Sequence, residues 1–185
     1  DHFASIERPK VWTKLHAEFG EAVNIVQQCA GDDQSQFKTT CVHIHPEWVE
    51  ACDNIQLCRW NLKTGIVKAA LVRKHAIRHV AGLGMTEFSE TDSWIHFRNV
   101  AGLTMSCRRY MEEYPDLTLV LKVTGRKVSL PKGLVEAADR ASIFSQENVE
   151  HDLVKVELRS DKVRIKGEGV WGRYLETKKL RWDGP

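Results

Sequence analysis

Residues 19–30 read FGEAVNIVQQCA. Phe19, Ala22, Val23, Val26 and Cys29 recur at the spacing of one helix face, so this stretch predicts an amphipathic helix. The pattern returns later in the chain. A shift of 112 carries those five positions onto Pro131, Leu134, Val135, Ala138 and Ala141 within LPKGLVEAADRASIFS. The same shift carries Val42 and Ile44 of TTCVHI onto Val154 and Val156 of LVKVELRS. A helix and a following strand that recur together predict an internal repeat.

Working outward, WVEAC (48–52) and IQLCRWNL (55–62) read as two strands joined at Asp53-Asn54. Asp and Asn tolerate the left-handed geometry of a two-residue hairpin turn. After Gly65, IVKAALV reads as a strand. VRKHAIRHVAGLG then reads as one helix, apolar along Val72, Ala76, Ile77, Val80 and Leu83, and ended by Gly82 and Gly84. MTEFSE, WIHFRNV and LTMSCRRY alternate as half-buried strands, and EYPDLTLVLKV closes the unit as an extended segment. The expected architecture is therefore α+β. Residues 1–123 form a two-helix domain with a sheet of hairpins. Residues 124–185 form an incomplete second copy: the turn TGRKVS, a helix, and strands that include KVRIKGEG and GRYLETKKLRW.

The composition, 42% apolar and 28% charged, is that of an ordinary globular chain. No stretch approaches eighteen apolar residues, so no membrane-spanning helix is expected. DHFASIERPK carries acids and no apolar run, unlike a signal peptide. The first residue is Asp1 and not Met, as in a fragment or a processed chain. Cys29, Cys41, Cys52, Cys58 and Cys107 form an odd set without a Cys-x-x-Cys pair. They read as free, buried thiols in a reducing, cytoplasmic setting.

The net charge of +2 is small, but its distribution is uneven. From Asn54 to Thr86 there is no acid, while Arg59, Lys63, Lys68, Arg73, Lys74 and Arg78 fall inside that gap together with His75 and His79. Lys74 and Arg78 stand one helical turn apart, so the second helix is expected to present a basic face to phosphates. A solvated surface helix is the competing reading.

No P-loop, dinucleotide fingerprint or nucleophile elbow occurs, and neither a catalytic residue nor a cofactor is expected. His43 and His45 share one strand face with Cys41, a spacing that suits a metal. A small metal-dependent or thiol enzyme built on these three residues is the minor alternative.

Taken together, the repeated two-helix unit, the hairpin ACDNIQLC (51–58) and the segment YPDLTLVL (114–121) resemble the bacterial sliding clamp, the beta subunit of DNA polymerase III. The family's hairpin reads Ala-Thr-Asp-Gly, two variable residues and Leu-Ala. Here Cys52 and Asn54 replace the Thr and the Gly. The resemblance covers the middle domain and the first half of the last domain. It implies a non-enzymatic DNA-clamp fold that encircles duplex DNA and touches phosphates without reading bases. The positions it assigns to DNA are Arg73, Lys74, His75, Arg78 and Lys132. It also implies an apolar pocket for short peptides of polymerase and clamp-loader subunits, formed by Thr39, Cys52, Asn54, Ile55, Gln56, Leu57, Pro115 and Val120. Gln56 stands where a basic residue is common in the family. Self-association into a ring is implied for a longer chain. A clamp-fold adaptor that binds protein without DNA is the second reading, and the neutral first helix favours it.

Overall fold

The structure, a computed structural model, describes residues 6–125, 127–145, 153–170 and 172–180. It divides into two compact units, Asp1–Leu119 and Val120–Pro185.

The first unit is built from two halves of the same plan. Strand β1 (Thr13–Lys14), helix α1 (Phe19–Val26) and strands β2 (Cys41–His45), β3 (Trp48–Cys52) and β4 (Leu57–Asn61) make one half. Strand β5 (Ala70–Arg73), the short helices α2 (Lys74–Ile77) and α3 (His79–Gly82), and strands β6 (Glu87–Glu90), β7 (Trp94–Arg98) and β8 (Thr104–Arg108) make the other. Each half lends its first strand to the other. The antiparallel sheets run β4-β3-β2-β5 and β1-β6-β7-β8, and Leu71 bridges Tyr110 to join them. Both helical segments lie over the sheets. Phe19, Ala22, Val23 and Val26 of α1 interleave with Val42, Ile44 and Val49, with Ile77 and Val80, and with Phe88, Ile95 and Phe97 in one buried cluster. Burying one such side chain stabilises the fold by about 1.5–3 kcal/mol. Gly20 lets α1 approach α3 closely, because a Cβ there would lie 3.3 Å from Ala81 Cα.

Several expectations need correction. The predicted second helix is broken into two short pieces at Arg78, and Val72 belongs to β5 instead of the helix face. The hairpin loop has four residues and not two, since Cys52 pairs with Leu57. No non-glycine residue has positive φ among the described residues, so Asp53 and Asn54 do not use the left-handed region. Instead Asp53 N–H donates to Gln56 O at 3.0 Å. The Asp53 carboxylate accepts from the Ile55 and Gln56 amides at 2.7 and 2.8 Å, an Asx-type turn. The expected extended segment after Tyr114 ends in a short helix, α4 (Thr118–Leu121), at the divide between the units.

In the second unit, helix α5 (Leu134–Ser142) packs on β10 (Lys162–Gly169) and β11 (Gly172–Lys179) of a sheet ordered β11-β10-β9, with β9 spanning Lys155–Leu158. In the first unit α1 packs in the same way on β3 and β4. The buried positions of the two helices do not align at the expected offset of 112. Ala137 and Ala141 are buried on α5 and Leu134 packs beside them, whereas Val135 is 71% exposed. A shift of 115 therefore carries Phe19, Ala22, Val23 and Val26 onto Leu134, Ala137, Ala138 and Ala141. In the strands a shift of 114 carries the facing pair Ile44 and Val49 onto Leu158 and Val163. Val42 thus corresponds to Val156 and not to Val154. Arg181 and Trp182, expected at the end of the third strand, lie outside the described residues.

Gly167 is required by this packing. A Cβ there would fall 1.9 Å from Ala141 O, a backbone atom that cannot give way. Gly167→Ala is expected to destabilise the second unit by about 3 kcal/mol or more, as overpacking against backbone does. Urea unfolding with exchange protection followed on β10 and β11 would measure this, and unchanged protection would contradict the packing.

Candidate nucleic-acid and peptide surfaces

The acid-free stretch of sequence is not acid-free in space. The loop after α1 brings Asp32 to the start of α2, where its carboxylate meets Lys74 Nζ at 2.7 Å and His75 Nε2 at 3.8 Å. Lys74 Nζ also donates to Ala30 O at 2.8 Å, and its side chain is only 14% exposed. The hydrogen bond from Lys74 holds the Asp32 carboxyl below its usual range. Arg73 is similarly engaged: Nη1 donates to Gln34 Oε1, and its guanidinium stacks 4.7 Å over the Phe37 ring. Phe37 lies in a 3-10 turn, Phe37–Thr40, and packs edge-on against Tyr110 at 4.7 Å. Of the residues expected to meet phosphates, Lys74 and Arg73 therefore hold the 30–37 loop onto the sheet. His75, Arg78 and the neighbouring His79 remain exposed. The facing surface of α1 offers Glu21, Asn24 and Ile25. Lys132 is exposed in the second unit, immediately before Gly133 at the start of α5.

The residues expected to form a peptide pocket fall into three groups. Thr39, Asn54 and Ile55 line a concavity of about 190 Å³ together with Gly31, Asp32 and Gln36. Its polar rim is largely self-satisfied: Thr39 Oγ1 donates to Gln36 O at 2.9 Å, and Gly31 N–H to Thr39 O at 2.8 Å. Ile55 is 86% exposed on that rim, an apolar side chain with no packing of its own. Gln56 turns the other way, and its Nε2 donates to Gln28 O at 3.0 Å beyond the end of α1. Cys52 and Pro115 belong to the second group. Cys52 is buried, so it cannot line an open pocket: Tyr114 covers it, accepting from Cys52 N–H at 2.9 Å and donating to Sγ at 3.3 Å. Pro115 follows Tyr114 and is exposed, while Leu57 is half-buried opposite Cys52. Val120, the third, is exposed and falls in the second unit.

Tyr114 also stacks on His43, with ring centroids 4.9 Å apart. This leads to a network the sequence did not announce. Glu50, at 2% exposure, sits on the outer face of the sheet between His43 and Arg59. His43 Nδ1 lies 2.7 Å from Oε1, and Arg59 reaches Oε2 through Nε and Nη2, both at 2.7 Å. Burial alone would push the Glu50 carboxyl up; the bonds from His43 and Arg59 outweigh it and hold the carboxyl below its usual range. Arg59 lies over the Trp48 ring at 4.5 Å, and His45 stacks on the same ring at 3.6 Å. His43 and His45 do share a face as their spacing predicts, but each is engaged by these partners. Cys41 Sγ lies 3.5 Å from Phe37 O. Among the described residues no group of three His, Cys, Asp or Glu side chains is placed to hold a metal ion.

Removing the Glu50 charge would leave Arg59 and His43 without their anion. Glu50→Gln is expected to cost about 3–5 kcal/mol at neutral pH. Because folding depresses the Glu50 pKa, its contribution is full above the ordinary carboxyl range and is lost as pH falls through the lowered folded value. The gap between wild type and variant should therefore narrow in acid, as urea midpoints across that range would show.

The sequence matches no family model and no curated protein. The fold does have close counterparts. A sliding clamp from Pseudomonas aeruginosa superposes with a TM-score of 0.76 at 15% identity, over 97% of this chain and 54% of that one. A DNA polymerase III beta subunit from Thermotoga maritima gives 0.73 at 15%, over 98% and 53%. A putative DNA polymerase III beta subunit from Eubacterium rectale gives 0.79 at 15%, over 97% and 53%. This chain has the α+β fold of the sliding clamps and spans about half the length of those it matches. Among the described residues no helix is long and apolar enough to cross a membrane.

Proposed function

We propose that this chain is a sliding-clamp-like processivity component, without catalytic activity of its own, that contacts duplex DNA through backbone phosphates and captures short peptides of polymerase and clamp-loader proteins. The observation that carries this reading is the superposition of nearly the whole chain on sliding clamps. The surface chemistry agrees with non-specific contact. An exposed cation, Arg78, at the junction of α2 and α3 with exposed His75 and His79 near it in sequence, suits charge attraction to a phosphate and offers no arrangement for reading bases. The contribution of Lys74 and Arg73 is indirect, because both are spent on the 30–37 loop. Duplex binding is accordingly weak and salt-sensitive.

For DNA, the test is a salt titration of duplex binding. Each phosphate contact contributes about 0.9 to the slope of log K against log salt. Arg78→Ala is expected to lower that slope by roughly one unit and to weaken binding uniformly across sequences. A slope near zero in the wild-type chain would remove the DNA reading and leave the adaptor.

For peptides, the rim residue Ile55 is the discriminating position, since its exposed side chain can be changed without touching the core. Binding of a fluorescent clamp-binding peptide should fall about tenfold or more on Ile55→Asp, equivalent to about 1.4 kcal/mol. Leu57→Asp should do likewise. Equal affinity in both variants would count against this pocket.

A further inference from the structure

We infer that Cys29 and Cys58 are a redox-responsive pair, which closes to a disulfide and fastens the end of α1 to strand β4. The inference rests on the first unit alone and does not depend on DNA or peptide binding.

The fold brings the two side chains to one place by independent routes. Cys29 ends the apolar stripe of Phe19, Ala22, Val23 and Val26, in the 3-10 turn Gln27–Cys29 that continues α1. Cys58 faces the helix layer, because it pairs with Ala51, which lies in the core cluster. Residues directly opposite each other in an antiparallel pair share one face of the sheet. α1 packs on β4, and Cys29 and Cys58 both pack, half-buried, against the same cluster. A flanking bond holds the two ends together: Gln56 Nε2 donates to Gln28 O at 3.0 Å, one residue before Cys29 and two before Cys58. The thiols themselves meet in a side-chain hydrogen bond. Burial, and then the neighbouring Cys58 and Asp53, push the Cys29 thiol up.

The other cysteines are set apart. Cys107 is buried, and that burial pushes its thiol up to about 12. Cys41 is fully buried, with Sγ 3.5 Å from Phe37 O. Cys52 follows Ala51 along β3, so its side chain leaves the opposite face of the sheet, where Tyr114 covers it.

The oxidant is a small-molecule disulfide, for which oxidised glutathione serves. One thiol of the pair loses its proton, and its thiolate attacks a sulfur of the reagent. The reagent's S–S bond breaks and expels a small thiolate, which takes up the proton. The second thiol then loses its proton and attacks the protein sulfur of the mixed disulfide. The Cys29–Cys58 bond forms, and a second small thiol leaves. Two electrons pass from the pair to the reagent. Because Cys29 is a weak acid in this setting, its thiolate is scarce and attack by it is slow. The same property makes it a poor leaving group, so the closed bond resists reduction.

The test equilibrates the reduced full chain with buffers of rising oxidised-to-reduced glutathione ratio. Free thiols are then alkylated and counted, and the peptides are mapped by mass. Two of the five thiols should be lost, in a cross-linked pair of peptides that holds residues 29 and 58. Amide exchange in the oxidised chain should slow at residues 28–30 and 56–58. Cys29→Ser and Cys58→Ser should each abolish the link, and Cys52→Ser should keep it. Should a variant lose its fold, the link mapped in the wild-type chain decides. Five free thiols at every ratio, mixed disulfides with glutathione only, or a link made through Cys52 would overturn the proposal. So would a link that forms equally well in urea, or one that leaves exchange unchanged at both of its ends.

Discussion

The structure of the first unit rests on a reciprocal exchange of strands. β1 belongs by sequence to the half that carries α1 but pairs with β6 of the other half, and β5 does the reverse. Neither half could close its core alone. Val42 and Ile44 need β5 and α2 above them, and Phe88 needs the contribution of α1. The exchange forces both helices onto the same side of the joined sheets and brings them together at Gly20 and Ala81. The first unit is thus one layer of helices over two sheets joined at Leu71 and Tyr110.

The electrostatics of the helix layer show how sequence distance misleads. The run from Asn54 to Thr86 has no acid, but the chain folds so that Asp32, more than forty residues away from Lys74 in sequence, closes on it. The pair is half exposed and contributes little stability by itself. Its effect is to turn Lys74 from a phosphate ligand into a clasp for a loop. That loop in turn shapes the concavity beside Thr39 and Ile55. Lys74 and the concavity beside Thr39 and Ile55 are therefore joined through one loop, residues 30–40, which composition alone could not reveal.

Much of the fold was legible because its signals are local. The 3.6-residue period of Phe19, Ala22, Val23 and Val26, and the alternation of Ile95 and Phe97 with His96, depend only on neighbouring residues. The recurrence of a helix with a following strand was legible too, although three residues of drift made Val135 look buried. What sequence concealed was non-local. Glu50 reads as an ordinary surface acid on an alternating strand, and only the pairing of β3 with both β2 and β4 surrounds it with His43 and Arg59. Tyr114 opens the segment YPDLTLVL, but its hydrogen bonds to Cys52 cross sixty-two residues. Of the candidate pocket residues, Thr39, Asn54 and Ile55 line a concavity, whereas Cys52 is buried, and a small residue at a strand end gives no sign of the ring that covers it.

The exchanged strands also set a timetable for synthesis. β1 is made long before its partner, since Thr13 pairs with Phe88. At ordinary translation speeds the delay is on the order of ten seconds. During that interval α1 and β2–β4 can form their local contacts, but the sheet edge meant for β5 and the apolar surface meant for α2 stay open until residues 70–77 are made, and β1 has no partner until β6 follows. The chain thus leaves the ribosome with its first half waiting for its second. Such non-local closure is slow compared with helix and hairpin formation. A nascent chain paused between Asn61 and Ala70 would present that open edge to chaperones.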